Sequence, residues 1–171
     1  MATSPPRYVF AALGLLTIGA QLGWEALHGG IVTHHFLQRA DLPGLSNAWG
    51  LLIVPALAAW AAGRVPSRAE RRARDGWPLL VGFGVPLLFG VALSVAFASK
   101  ATAWTESIFL TMLLLAALLP AYRRECLLGF VLGMCFVFGP LLPTVFGAII
   151  GAASWLLHRS LRWAWHNVRR A

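Results

Sequence analysis

The sequence predicts an all-α fold: a polytopic transmembrane helix bundle of about six membrane segments, closed by a basic interfacial helix at the C-terminus. Three observations carry this expectation. Hydrophobic residues make up 58% of the 171 positions and charged residues only 12%, where soluble domains run nearer 45–50% and about 25%. The apolar residues fall in runs of roughly 17–25, long enough to cross about 30 Å of hydrocarbon. The formal charge of +8 is confined to a few places. Arg64, Arg68, Arg71, Arg72 and Arg74 lie in one short connection, Arg123 and Arg124 in another, and Arg159, Arg162, Arg169 and Arg170 at the C-terminus. Positive charge in short connections fixes membrane orientation. The basicity is therefore a topology signal, with membrane lipids and their anionic headgroups as the partner of the arginine-rich face. No nucleic-acid motif accompanies it, and a soluble core would leave too few polar residues to cover a surface.

The chain, 1–171, is expected to form a single membrane-embedded helical domain. Segment one runs from about Arg7 to His28, with Pro5-Pro6 before it and Gly29-Gly30 after it as start and stop signals. Its apolar run continues to Trp24 past a poor cleavage context at Ile18-Gly19-Ala20, so it is expected to be a retained helix and not a signal peptide. Residues 29–46 form a polar connection with a turn at Asp41-Leu42-Pro43-Gly44. Segment two starts at Ser46-Asn47, good helix-capping residues, and ends near Gly63. Residues 64–76 are a basic cytoplasmic loop. Segment three spans Trp77 to about Ala98, with Pro78 in the first turn, where proline is tolerated. Segment four spans about Ala103 to Ala121.

The last apolar stretch, Cys126 to His158, is too long for one crossing at 1.5 Å per residue. It is also broken by Gly139-Pro140 and Pro143. With loop 64–76 in the cytoplasm, a single fifth helix would carry the C-terminal arginines outside; a hairpin turning near Gly139–Pro143 returns them. Its arms are short, so a re-entrant pair whose turn is buried in protein is the alternative. Both termini are then cytoplasmic and the protein is multi-pass in a cell inner membrane. Thirteen arginines to one lysine suit a GC-rich bacterial genome. Residues 158–171 form a basic amphipathic cytoplasmic tail. Arg159, Arg162, His166 and Arg169 share one face and Leu161, Trp165 and Val168 the other, the pattern of an interfacial helix. Trp24, Trp49, Trp77, Trp104 and Trp155 fall near segment ends, as an aromatic belt requires.

Candidate chemistry gathers at the end away from the arginines. Thr17, Gln21, Glu25 and His28 form a polar stripe on segment one at helical spacing, and lipid cannot satisfy such a stripe. His34 and His35 follow in the connection, Asn47 opens segment two, and Glu106 lies in the first turn of segment four. The topology predicts that Glu25, His28 and Glu106 converge as acid/base groups, with Gln21 and Asn47 as substrate-binding residues. His28, His34, His35 and Glu25 also make a ligand set for a divalent transition metal (Zn, Fe or Cu). The pair Glu25-x-x-His28 is half of a di-iron carboxylate pattern, and its other half is missing from this chain; a symmetric homo-oligomer would supply it.

The leading expectation is a small inner-membrane enzyme acting on a lipid-like or apolar substrate at the outer half of the bilayer, since imidazole and carboxylate exchange protons near neutral pH. A proton- or cation-coupled transporter or channel subunit using Glu25 and Glu106 is the second expectation. The third is an accessory protein packing through Gly82, Gly84, Gly90 and the Gly129-x-x-x-Gly133 motif. Cys126 and Cys135 make no metal or redox spacing and are expected to be small buried hydrophobes. No hydrolase signature is present.

Overall fold

The computed structural model describes residues 7–35, 44–63 and 77–169. The basic loop 64–76, the Asp41 turn and the Pro5-Pro6 start signal lie outside the described residues. Among those described, six α-helices form: α1 (Arg7–Leu27), α2 (Gly50–Ala62), α3 (Trp77–Ala98), α4 (Thr102–Leu118), α5 (Arg124–Phe138) and α6 (Leu141–Val168). The polar connection after α1 adds two three-residue strands, β1 (Thr33–His35) and β2 (Gly44–Ser46), followed by a 3₁₀ turn at Asn47–Trp49. The strands pair antiparallel, with Thr33 opposite Ser46 and His35 opposite Gly44.

Among the described residues three helices are long and apolar enough to cross a membrane: Tyr8–Leu27, Val81–Ala98 and Leu141–Val168. At 1.5 Å per residue α1 and α3 are about 32–33 Å long and match a ~30 Å core. The remaining apolar helices are shorter. Large apolar side chains cover the outside, among them Leu16, Leu52, Leu88, Leu110 and Ile149, each at least 60% exposed. A continuous apolar exterior of this kind has lipid, not water, as its natural solvent.

Two helix pairs make the frame. In the first, α1 packs on α2. A Cβ on Gly14 would stand 3.1 Å from the Cα of Pro55 and 3.2 Å from the Ala58 Cβ. Ile18, Leu22, Val54 and Cys135 close one buried cluster around this contact. In the second pair, α3 packs on α5 through glycine. A Cβ on Gly129 would strike the Phe83 carbonyl and one on Gly133 the Leu87 carbonyl; on Gly90 it would lie 2.8 Å from the Phe130 carbonyl. Backbones approach this closely only where side chains are missing on both faces. Ser94 Oγ spans the pair, donating to the Gly133 carbonyl at 3.2 Å. The Gly129/Gly133 motif and Gly90 are thus spent inside the chain and do not face a partner, while a Cβ on Gly84 would meet nothing within 4 Å.

Helices α4 and α6 flank this frame. The chain reverses at Gly139, whose φ of +69° suits glycine, and α6 returns along α5 so that Gly147 meets Leu127 and Phe130. The stretch 126–158 is therefore two packed helices with a turn at Gly139-Pro140, and Pro140 and Pro143 are buried. α5 has 15 residues, about 22 Å, shorter than the hydrocarbon core. α6 continues without a break through residues 158–168 as one 28-residue helix, so the basic tail is its extension. There Arg159 lies over Trp155 and Arg169 over Trp165, at 5.3 and 4.7 Å.

Candidate functional site

The two ends of the bundle differ in chemistry. At one end Arg124, opening α5, lies over the Trp60 ring at 4.8 Å and donates to the Trp60 carbonyl at the close of α2. Tyr122 meets the His158 ring edge-on at 5.9 Å. This is the arginine end. The opposite end gathers the close of α1, the hairpin, the opening of α2 and the α5–α6 turn.

A carboxylate organises that opposite end. Glu25 is 9% exposed. Its Oε1 accepts from Asn47 Nδ2 at 2.7 Å and from Gln21 Nε2 at 3.0 Å, and its Oε2 accepts from the Val32 backbone N–H at 3.0 Å. The Asn47 N–H in turn donates to the Val32 carbonyl at 3.0 Å. One side chain on α1 thereby holds both strands of the hairpin at their α1-side rung. Asn47 itself is 1% exposed, and Ser46 caps the 3₁₀ turn by accepting from the Ala48 N–H. Gln21 extends the network to the second helix pair. Its Nε2 donates to the Cys135 carbonyl at 3.1 Å, and the Cys135 thiol donates to Gln21 Oε1 at 2.9 Å. Residues from α1, both strand ends and α5 meet in one connected set of hydrogen bonds, as a buried polar group demands.

His28 sits one turn beyond Glu25 and is exposed. Its ring stacks on Trp24 with centroids 3.8 Å apart, and its Nδ1 lies 2.8 Å from the Trp24 carbonyl. A carbonyl only accepts, so Nδ1 carries a proton, and Nε2 is left without a hydrogen bond among the described residues. His158 makes the same bond four residues back, to the Ser154 carbonyl. What distinguishes His28 is its place beside the Glu25 network.

The sequence-predicted residues separate into three sets. Gln21, Glu25 and Asn47 are brought into one network, with His28 at its edge. His34 and His35 lie on β1, immediately after Val32; their side chains are outside the described residues. Glu106 is exposed on α4, which packs on α3 and α6, while Glu25 lies on α1, which packs on α2. Glu106 takes no part in the network among the described residues. Nor is there, among them, any group of three His, Cys, Asp or Glu side chains placed to hold a metal, and a metal at Glu25 would compete with three N–H donors. Two members escaped sequence reasoning. Val32 contributes through its backbone and leaves no mark in the sequence. Cys135, expected as a plain buried hydrophobe, is buried but serves Gln21 as both donor and acceptor; its helical position at the same end as Gln21 was the available signal.

No family model matches the chain, and no curated protein or solved structure matches it significantly.

Proposed function

We propose that this chain is a small multi-pass inner-membrane protein whose polar end carries out acid/base chemistry on a lipid-like or apolar substrate, with His28 as the group that moves the proton and Glu25 as a positioning residue. The observation that carries the reading is the division between the two side chains. Glu25 is buried and fully engaged by N–H donors, so it shapes the site. His28 is exposed, held in one orientation by Trp24, and keeps one nitrogen open, the arrangement expected of a general base. An exposed apolar exterior brings lipid to this edge in preference to a water-soluble substrate.

In the same reading the arginine end is cytoplasmic, all six helices lie in the membrane, with the α5–α6 pair as a short hairpin, and residues 158–168 of α6 lie on the anionic leaflet. The polar end then faces the outer half of the bilayer.

The test uses purified protein in sealed vesicles made from a mixed lipid extract, with lipid species followed by mass spectrometry. Wild type is expected to convert at least one species, His28→Ala to leave all unchanged, and His158→Ala to behave as wild type. Conversion that persists in His28→Ala, or no conversion by wild type in any lipid mixture, counts against the proposal. Gradient-dependent solute flux in place of conversion would favour the transport reading.

A further inference from the structure

At the arginine end, outside the Glu25 network, the first halves of α3 and α5, the close of α4 and the first third of α6 enclose a half-open cavity of about 340 Å³. That is within the ~300–1,000 Å³ typical of small-molecule sites. Its lining is apolar apart from one residue, with side chains such as Phe89, Met112, Leu115 and Phe130. Among the described lining residues only Arg123 carries a charge. Arg123 belongs to the connection between α4 and α5, so the cation marks one end of the cavity and hydrocarbon the rest.

A second observation stands beside the first. Glu125 rests against Gly82, itself part of the cavity wall: a Cβ built there would lie 3.2 Å from Glu125 Cγ and 3.5 Å from Oε1. The other oxygen of this carboxylate, Oε2, is buried and has no hydrogen-bond partner among the described residues. Buried acceptors almost always have a donor, so an orphan packed behind Gly82, one residue back from the cavity lining, points to a donor that arrives with a ligand.

We propose that this cavity binds a phospholipid whose headgroup carries a primary ammonium. The acyl chain fills the apolar depth, the phosphate meets Arg123, and the ammonium donates to Glu125 after a small rotation of that carboxylate. The order of chemistry along the cavity matches such an amphiphile. Arg123 and Glu125 lie where helices begin and end, the level of headgroups, and the apolar lining continues inward, the level of acyl chains. A choline headgroup has the same phosphate and chains but no N–H to give. A glycerol headgroup leaves the lipid anionic and facing the Glu125 carboxylate. The acceptor therefore selects the amine.

The experiment presents the full chain, in mixed micelles, with equimolar phosphatidylethanolamine, phosphatidylcholine and phosphatidylglycerol of identical acyl chains, and counts retained lipid by native mass spectrometry. Wild type is expected to retain the ethanolamine lipid about tenfold over the choline lipid, the scale of one charge-assisted hydrogen bond. Glu125→Gln should abolish that preference and leave choline-lipid retention unchanged, and Arg123→Gln should weaken both. Should either variant fail to fold, Val85→Trp, at an exposed position on the cavity wall, is expected to lower retention of all three. Equal retention of ethanolamine and choline lipids by wild type, strongest retention of the glycerol lipid, or an unchanged preference in Glu125→Gln each overturns the proposal.

Discussion

Replacing Glu25 with alanine removes the acceptor shared by the Asn47 side chain and the Val32 amide. Asn47 is 1% exposed, so its Nδ2 has no water to turn to. Each buried donor left without an acceptor costs about 1–3 kcal/mol, which makes about 2–6 kcal/mol for the two. Gln21 adds little, because it keeps the Cys135 carbonyl. Burying the carboxylate was itself costly, and its removal returns part of the loss, so the lower half of that range is expected. The loss is local to the strand pair and should appear as easier opening of residues 28–35 and 44–50. At 1.4 kcal/mol per tenfold, about 2–4 kcal/mol means roughly thirtyfold to seven-hundredfold faster amide exchange at Val32 and Asn47. Glu25→Gln should fall between, since its amide keeps one acceptor but turns an NH₂ towards a donor. Hydrogen–deuterium exchange on detergent-purified protein reads this directly. Unchanged protection across 28–35 and 44–50 in Glu25→Ala would refute the role assigned to the carboxylate.

Three further outcomes follow from the packing. Gly133→Val drives a side chain into the Leu87 carbonyl and the Gly90 Cα; backbone cannot yield as a side chain does, so at least the ~1–3 kcal/mol of ordinary overpacking is expected in thermal unfolding. Gly139→Ala forces an L-residue to φ +69° and ψ 170°, a region kept almost entirely by glycine, and should cost about 1–3 kcal/mol by the same measurement. Cys135→Ser keeps a donor for Gln21 and should be close to neutral, while Cys135→Ala loses the bond and should cost about 1 kcal/mol in the melting of the α1–α5 contact.

The helices were legible because membrane helices announce themselves by run length. α3 begins at Trp77 and ends at Ala98 where the apolar run does, and the Gly139-Pro140 break marks the turn between α5 and α6. Arginine placement also pointed to a hairpin over 126–158, since one long helix would have split the basic residues between two sides. The sequence of the polar connection predicts a loop and gives no sign of its two strands: three-residue strands carry no periodicity, and this pair is held by Glu25, a residue outside it. Gln21, Glu25 and Asn47 could be nominated because buried polar groups need partners, but their mutual bonds, and the part of Cys135, depend on how α1, α2 and α5 meet. Glu106 shows the limit of depth as a guide. Equal depth along parallel segments says nothing about which helices are neighbours, and α4 lies beside α3 and α6.

The central claim is that chemistry belongs to His28 and architecture to Glu25. The most direct test measures lipid conversion and thermal stability together on wild type, His28→Ala and Glu25→Ala in the same vesicles. The account predicts that His28→Ala abolishes conversion at an unchanged melting temperature, and that Glu25→Ala lowers both. A His28→Ala protein that melts early while converting lipid at the wild-type rate, or a Glu25→Ala protein with wild-type stability and no conversion, would contradict it.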